Sequence, residues 1–201
     1  KNLACIGFGI VFALAAVSRI HCAWLLNHHH DPPFHPKKED YFSFWDFVKR
    51  TRHSNFAKFT FIAASINGLT NIAGPFFSVY MIRDLHWNYV QFTFNTIFFL
   101  VGQFVFISWW GAMCDRHGNR AVLAATSLII PLIPLPWAFF KSFPIIMCLQ
   151  FISGSVWSGF NLAVSNFIMD ACTPQKRPRA TSYYTVVNSF FSLIAGSIIG
   201  A

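Results

Sequence analysis

VQFTFNTIFFLVGQFVFISWWGAMCDRHGNR, residues 90–120, decides the fold. Its first 23 residues, Val90 to Ala112, carry no formal charge. A helix of roughly 20 mainly apolar residues crosses the hydrocarbon core of a bilayer. The stretch then closes on Asp115, Arg116, His117 and Arg120, and a second apolar run opens at Ala121. Two apolar segments of spanning length joined by a short charged hairpin make the repeating unit of a polytopic α-helical membrane protein.

The same unit recurs on both sides. Charged residues are 11% of the chain and apolar residues 55%, whereas a soluble domain is about a quarter charged. Six spans are expected: Leu3–Leu26, Phe56–Ile82, Val90–Ala112, Ala121–Phe140, Pro144–Met169 and Tyr183–Ala201. The first is too long for a signal peptide, and no small-residue cleavage site follows it. The chain opens on Lys1 and closes inside an apolar run, so a fragment is expected, with the sixth span cut short.

Charge sets the orientation. Assigning alternate loops to alternate sides puts 12 of the 15 Lys and Arg residues on one side. Only Lys1, Arg83 and Lys141 fall on the other. The positive-inside rule makes the crowded side cytoplasmic. Removing or adding a span would scatter the cations over both sides. The basic pI of about 9.5 is thereby explained without nucleic acid, which needs a soluble basic face. The five cysteines, at 5, 22, 114, 148 and 172, show no CxxC or metal-ligand spacing and read as small apolar residues.

Residues 27–55 form the one long loop. His28, His29, His30 and His35 invite a metal reading. Adjacent histidines converge poorly on one ion and no cysteine accompanies them, so a proline-stiffened linker is expected and no cofactor. The following Tyr41–Val48 segment is aromatic, and Lys49, Arg50 and Arg52 come next. Two readings stand: an amphipathic helix in the membrane interface, or a segment packed on the bundle.

The spans differ in polarity. The first, up to Val17, and the fourth are nearly free of amides and hydroxyls, so they can face lipid. The second, third, fifth and sixth carry many, which need partners in protein or a watered cavity. Asn67, Asn71, Gly74 and Ser78 share one helical face, and Gly154, Ser158, Asn161 and Ser165 repeat the same offsets. Such stripes line a solute path or pack helices together. Gly74-Pro75 predicts a kink. Gly196 and Gly200 predict a close helix contact.

Gly111, Asp115, Arg116, Gly118 and Arg120 resemble the signature loop of the major facilitator superfamily, G-x-x-x-D-R-x-G-R-[RK]. Asn119 stands where an arginine is usual. The resemblance implies an all-α transmembrane bundle of twelve spans in two halves, of which this chain covers helices six to eleven. Residues 1–26 would end the first half, 27–55 would be the cytoplasmic central loop, and 56–201 five spans of the second half. The first and fourth spans here then fall on helices peripheral in that family. The resemblance also implies a cytoplasmic latch, carried onto Asp170 with Arg177 or Arg179 set against Asp115 and Arg120.

The function expected is movement of a small solute by alternating access, with a coupling ion or as uniport, and no enzymatic reaction. Candidate cavity residues are Asn67, Asn71, Asn95, Trp157 and Asn161. No span holds a carboxylate or His near its centre, so this half offers no proton carrier. The layout of the aromatic loop resembles bacterial members, which implies the inner (plasma) membrane. The lipid bilayer and a solute are the expected partners, nucleic acid is not, and the full-length protein is expected to be a monomer. The alternatives are a membrane-embedded transferase using His28–His35 and a non-transporting receptor of the same fold.

Overall fold

The computed structural model describes residues 2–28, 43–49 and 54–200. They form helices α1 (Asn2–Asn27), α2 (Phe44–Lys49), α3 (Asn55–Val79), α4 (Tyr89–His117), α5 (Asn119–Ile129), α6 (Leu135–Phe139), α7 (Phe143–Ala171) and α8 (Arg177–Gly200). No strand occurs among the described residues. The chain divides into two units, 1–36 and 37–201.

The first unit is α1. Phe8, Phe12, Leu14, Val17, Ile20 and Trp24 are all exposed and lie around the whole helix. A helix apolar on every side is a membrane span rather than a soluble surface helix. Its one hydroxyl, Ser18, donates to the Leu14 carbonyl at 2.8 Å, so it costs little in hydrocarbon.

The second unit is built from two parallel helix pairs, α4 with α7 and α3 with α8, with α5 packed on α7 and α4. Glycines set the closeness of the first pair. A Cβ on Gly102 would strike the Phe151 carbonyl, and one on Gly154 would strike the Phe99 carbonyl. Gly159 makes room for the Trp110 ring, whose Nε1 donates to the buried Ser155 carbonyl at 2.8 Å. Small residues of this kind let backbones touch where lipid supplies no hydrophobic drive. In the second pair a Cβ on Gly68 would strike Phe191.

Among the described residues four helical segments are long and apolar enough to cross a membrane: Gly7–Asn27, Tyr89–His117, Asn119–Phe139 and Phe143–Ala171. The expected second and sixth spans, α3 and α8, have the length, at 25 and 24 residues, but are less apolar. Their polar groups meet each other instead. Asn71 Nδ2 donates to Ser192 Oγ at 3.0 Å, and Asn67 hydrogen-bonds the Tyr184 hydroxyl.

Several expectations are corrected. The sixth helix begins at Arg177, six residues before Tyr183, because Pro178 suits the first turn of a helix. Arg177 and Arg179 are therefore helical, not loop residues. Gln91 belongs to a cap: Asn88 Oδ1 accepts from its backbone N at 2.8 Å, and its Oε1 accepts from Asn88 N at 3.0 Å. α3 includes Pro75, and a π-helical turn, Tyr80–Asp84, follows it. A Cβ on Gly196 would meet nothing within 4 Å among the described residues. Of the two readings of the aromatic loop, α2 takes the packed one. Phe47 is 5% exposed among Phe56, Phe61 and Tyr183, while Trp45 is 68% exposed. Tyr41 and Phe42, the remaining loop cations and His29, His30 and His35 lie outside the described residues.

Candidate functional site

Helices α3, α4, α6 and α7, with the turn before α6, line a partly open cavity of about 320 Å³. Its walls are largely aromatic: Phe77, Phe92, Phe99, Trp137 and Trp157. Phe77 and Trp137 meet edge to face at 4.8 Å, which holds α3 against α6. Between the rings stand hydroxyls and amides: Thr70, Ser78, Asn95, Thr96, Gln150 and Ser153. Among the described residues no lining side chain carries a formal charge.

Three buried side-chain oxygens among the described residues lack a hydrogen-bond partner, those of Thr60, Asn188 and Asn95, and the one on the cavity wall is Asn95. It is 3% exposed, and its Oδ1 has no hydrogen-bond partner. A buried polar atom without a partner costs about 1–3 kcal/mol. The neighbouring Thr93 and Thr96 spend their hydroxyls on the Tyr89 and Phe92 carbonyls, at 2.8 and 3.4 Å. Asn95 lines the cavity without such a bond. It lies roughly 9 Å from the start of α4 at 1.5 Å per residue. Trp157 is the middle residue of α7. The cavity thus reaches from mid-helix toward the ends opposite the basic loops.

The five candidate residues separate. Asn95 and Trp157 line the cavity. Asn67 and Asn71 do not; they bond to α8. Asn161 lies in a different depression, with Gln103 and Ser165 on the α4–α7 surface. The stripe on α3 splits for a geometric reason. Asn67 and Asn71, nearer the start of the stripe, are engaged by α8, whereas Gly74 and Ser78, one to two turns further along the same face, pass beyond that contact and line the cavity with Thr70. The regular spacing of Thr70, Gly74 and Ser78 was the available signal for Thr70 and Ser78. Nothing local distinguishes Gln150 or Ser153 from the other polar residues of α7.

A second constellation lies at the basic ends. Asp115 and Arg116 occupy the last turn of α4, and Arg120 the first turn of α5; all three are exposed. One residue turns the chain between these helices. Gly118 has φ 83° and ψ 151°, a region open essentially to glycine alone. Its N–H donates to the Cys114 carbonyl at 2.8 Å. Gly111 faces Leu162 of α7, which a Cβ would meet at 3.9 Å.

The cross-pair is not made through Arg177. Among the described residues Asp115 and Arg120 make no hydrogen bond or ion pair with Asp170 or Arg177. Asp170 Oδ2 instead accepts from Asn119 Nδ2 at 2.6 Å, and Asn119 Oδ1 accepts from Asn166 Nδ2 at 3.3 Å. Arg177 Nε donates to the Met169 carbonyl at 3.1 Å, tying the start of α8 to the end of α7. Asn119, the departure from the signature, is therefore the residue that joins the hairpin to α7. Its short amide reaches a carboxylate one helix away, where a longer arginine would pass it. Burial pushes the half-buried Cys172 thiol above the ordinary thiol range, and Lys176 and Arg177 partly offset the shift.

These features define a membrane-embedded helical bundle with a cavity that no charged side chain lines among the described residues, and a charged hairpin at the basic helix ends. Residues 59–201 match the family model described as Major Facilitator Superfamily, and the chain belongs to that superfamily. It is also 30% identical over 82 residues to human solute carrier family 22 member 13; the alignment covers 41% of this chain and 15% of that protein. The chain therefore matches only a small part of that relative's length. No solved structure matches. The resemblance of the hairpin signature is borne out by the family match, as is the all-α transmembrane architecture. The protein is an integral membrane protein of a transporter family.

Proposed function

We infer that this chain is part of a solute transporter working by alternating access, with the α3–α4–α6–α7 cavity on the solute path. One observation carries the reading: the unpartnered, 3% exposed Asn95 amide standing in a cavity beside Trp157. A structural cavity is normally apolar and dry, or holds waters that satisfy its polar groups. A transport site must instead leave a polar group to be completed by its cargo and then released. Under this reading 56–201 belongs to the second half of a twelve-span protein, α1 to the first, and 27–55 links them on the cytoplasmic side.

The hairpin supplies the gate. Gly111, Asp115, Arg116, Gly118 and Arg120 present charge at the cytoplasmic end of α4 and α5, where the other half would dock. The Asn119–Asp170 bond holds this surface to α7, whose middle carries Trp157. A movement of the hairpin therefore moves the cavity wall. The bacterial placement rests on the aromatic loop layout alone, and the relative matched is human.

The test uses the full-length protein in proteoliposomes with a substrate found by uptake screening. Asn95→Ala and Trp157→Ala should cut uptake about tenfold or more, and Asn161→Ala should not. Uptake indifferent to both cavity substitutions would refute the assignment. Replacing His28, His29 and His30 with alanine should leave uptake intact; loss of a catalytic turnover instead would favour the embedded enzyme. Asp115→Asn with unchanged kinetics and unchanged cytoplasmic accessibility would remove the gate.

A further inference from the structure

The turn between α3 and α4 lies at the helix ends opposite the basic loops and is built unlike the rest of the bundle. α3 passes into the π-helical turn Tyr80–Asp84, closed by the Leu85 N–H, which donates to the Tyr80 carbonyl at 3.0 Å. Such turns are rare and gather at functional places. Next comes His86, with φ 52°, the one non-glycine residue at positive φ among the described residues. A residue with a Cβ occupies that region at a cost. The His86 side chain is exposed, so the backbone bend itself is what the position supplies. The bend aims Trp87 back at the bundle. Its N–H donates to the Met81 carbonyl at 3.0 Å, and its side chain is 8% exposed among Met81, Trp137, Ile146 and Met147. The indole meets Phe143, the first residue of α7, edge to face at 5.3 Å. Met81 and Trp137 also line the cavity, so Trp87 closes over its end away from the basic loops. The residues that bury it all belong to this chain.

We propose that this turn is a cap on the α3–α4–α6–α7 cavity, closed by Trp87 and opened when the π-turn returns to α-helical register. Its consequence for transport rests on the reading of the cavity as part of the solute path; the opening itself does not. Burial of the indole favours the closed form. The positive φ of His86 and the π-turn oppose it. An element held by opposed contributions of this kind switches between two arrangements. The exchange is local. Removing the extra residue from the turn rotates those that follow by about 100°, which carries Trp87 off the cavity. The Met81 carbonyl then passes from the Trp87 N–H to the Leu85 N–H, its ordinary i+4 donor, and the Tyr80 carbonyl takes the Asp84 N–H. No backbone acceptor is stranded, and His86 returns to negative φ. The motion ends at Asn88, whose capping box with Gln91 fixes the start of α4.

The experiment measures accessibility of the cavity wall in the full-length protein in proteoliposomes. Ser78 lines the cavity, and Ser78→Cys on a background with the native cysteines replaced by serine makes it the one reactive thiol. A charged, membrane-impermeant methanethiosulfonate is added on the side opposite the basic loops and, separately, on the basic side. Trp87→Ala should speed labelling from the first side about tenfold or more. His86→Gly keeps the indole and removes the cost of the positive φ, so it should slow labelling about threefold. His86→Val, whose β-branched side chain resists positive φ, should speed it about tenfold. The two His86 variants also decide the matter if Trp87→Ala does not fold, because a loosened bundle would not move them in opposite directions. A shared direction, rates indifferent to all three substitutions, or a rise from both sides in His86→Val overturns the cap. Uptake of a substrate found by screening is followed in parallel. Labelling that responds as expected while uptake stays unchanged would uphold the cap and refute the cavity as solute path. Uptake lost in Asn95→Ala while labelling ignores Trp87 and His86 would uphold the path and refute the cap.

Discussion

The sharpest structural test is Gly159→Ala. A Cβ built on Gly159 would stand 2.5 Å from Trp110 Cδ2, 2.7 Å from Cε2 and 2.8 Å from Cγ. Carbon atoms in contact prefer about 3.5–4.0 Å, so the indole must retreat by roughly 1 Å. It cannot do so freely. Trp110 is buried, and its Nε1 is held to the Ser155 carbonyl at 2.8 Å. A retreat of that size along the bond takes it beyond hydrogen-bond length. Stranding the N–H then costs about 1–3 kcal/mol, and forcing a methyl into a filled site about 1–3 kcal/mol more. Alanine returns about 1 kcal/mol through helix propensity. The net expectation is a loss of about 2–4 kcal/mol. It is measured by reversible unfolding of the full-length protein in mixed micelles. The cycle with Trp110→Ala is decisive: once the indole is gone, Gly159→Ala should cost nothing or stabilise. Either of two results would refute the reasoning: a single-variant loss below about 0.5 kcal/mol, or the same loss with and without Trp110. Because Trp110 directly precedes Gly111 and Ser155 lies between cavity residues Ser153 and Trp157, uptake should fall along with stability.

Further outcomes follow from other positions. Gly118→Ala meets no atom within 4 Å yet should destabilise by about 1–3 kcal/mol, because the φ of 83° and not space is the constraint; thermal unfolding reads it. Asn119→Ala should free the hairpin from Asp170, and alkylation of Cys172 by iodoacetamide should then quicken. In the unaltered protein that alkylation should be slow at neutral pH and rise only above the ordinary thiol range, since a raised thiol pKa leaves less thiolate at any given pH. Phe47→Ala should cost about 3–5 kcal/mol and expose the central loop to limited proteolysis, whereas Trp45→Ala on the same short helix should stay within about 0.5 kcal/mol.

The hairpin shows how local signals carry and where they stop. Gly118 was legible because a one-residue turn between two helices imposes a φ that only glycine accepts, and the pattern G-x-x-x-D-R-x-G displays that demand directly. Asn119 was legible only as a departure from the pattern. Its partner Asp170 is 51 residues away, and which cation or amide reaches that carboxylate depends on how α7 lies beside the hairpin. The cavity behaves the same way. Asn95 and Asn71 look alike in sequence, each an amide within an apolar run. One finds Ser192 at 3.0 Å and is spent on packing; the other lines the cavity with its oxygen buried and unpartnered.

What the amino-acid order alone determined is the class of object: apolar runs of membrane length, cations gathered on one side, and a glycine-bounded charged hairpin. Each depends on the chain and its solvent, a bilayer that forbids unpaired charge and unpaired backbone. The tertiary structure decided which polar residues remain available for chemistry. Every amide in these helices must find a partner, and only the pairing of α3 with α8 and of α4 with α7 determines which are consumed. Glycines at 68, 102, 154 and 159 set those pairings by letting the helices approach closely, and the unpartnered amide left on the cavity wall is Asn95.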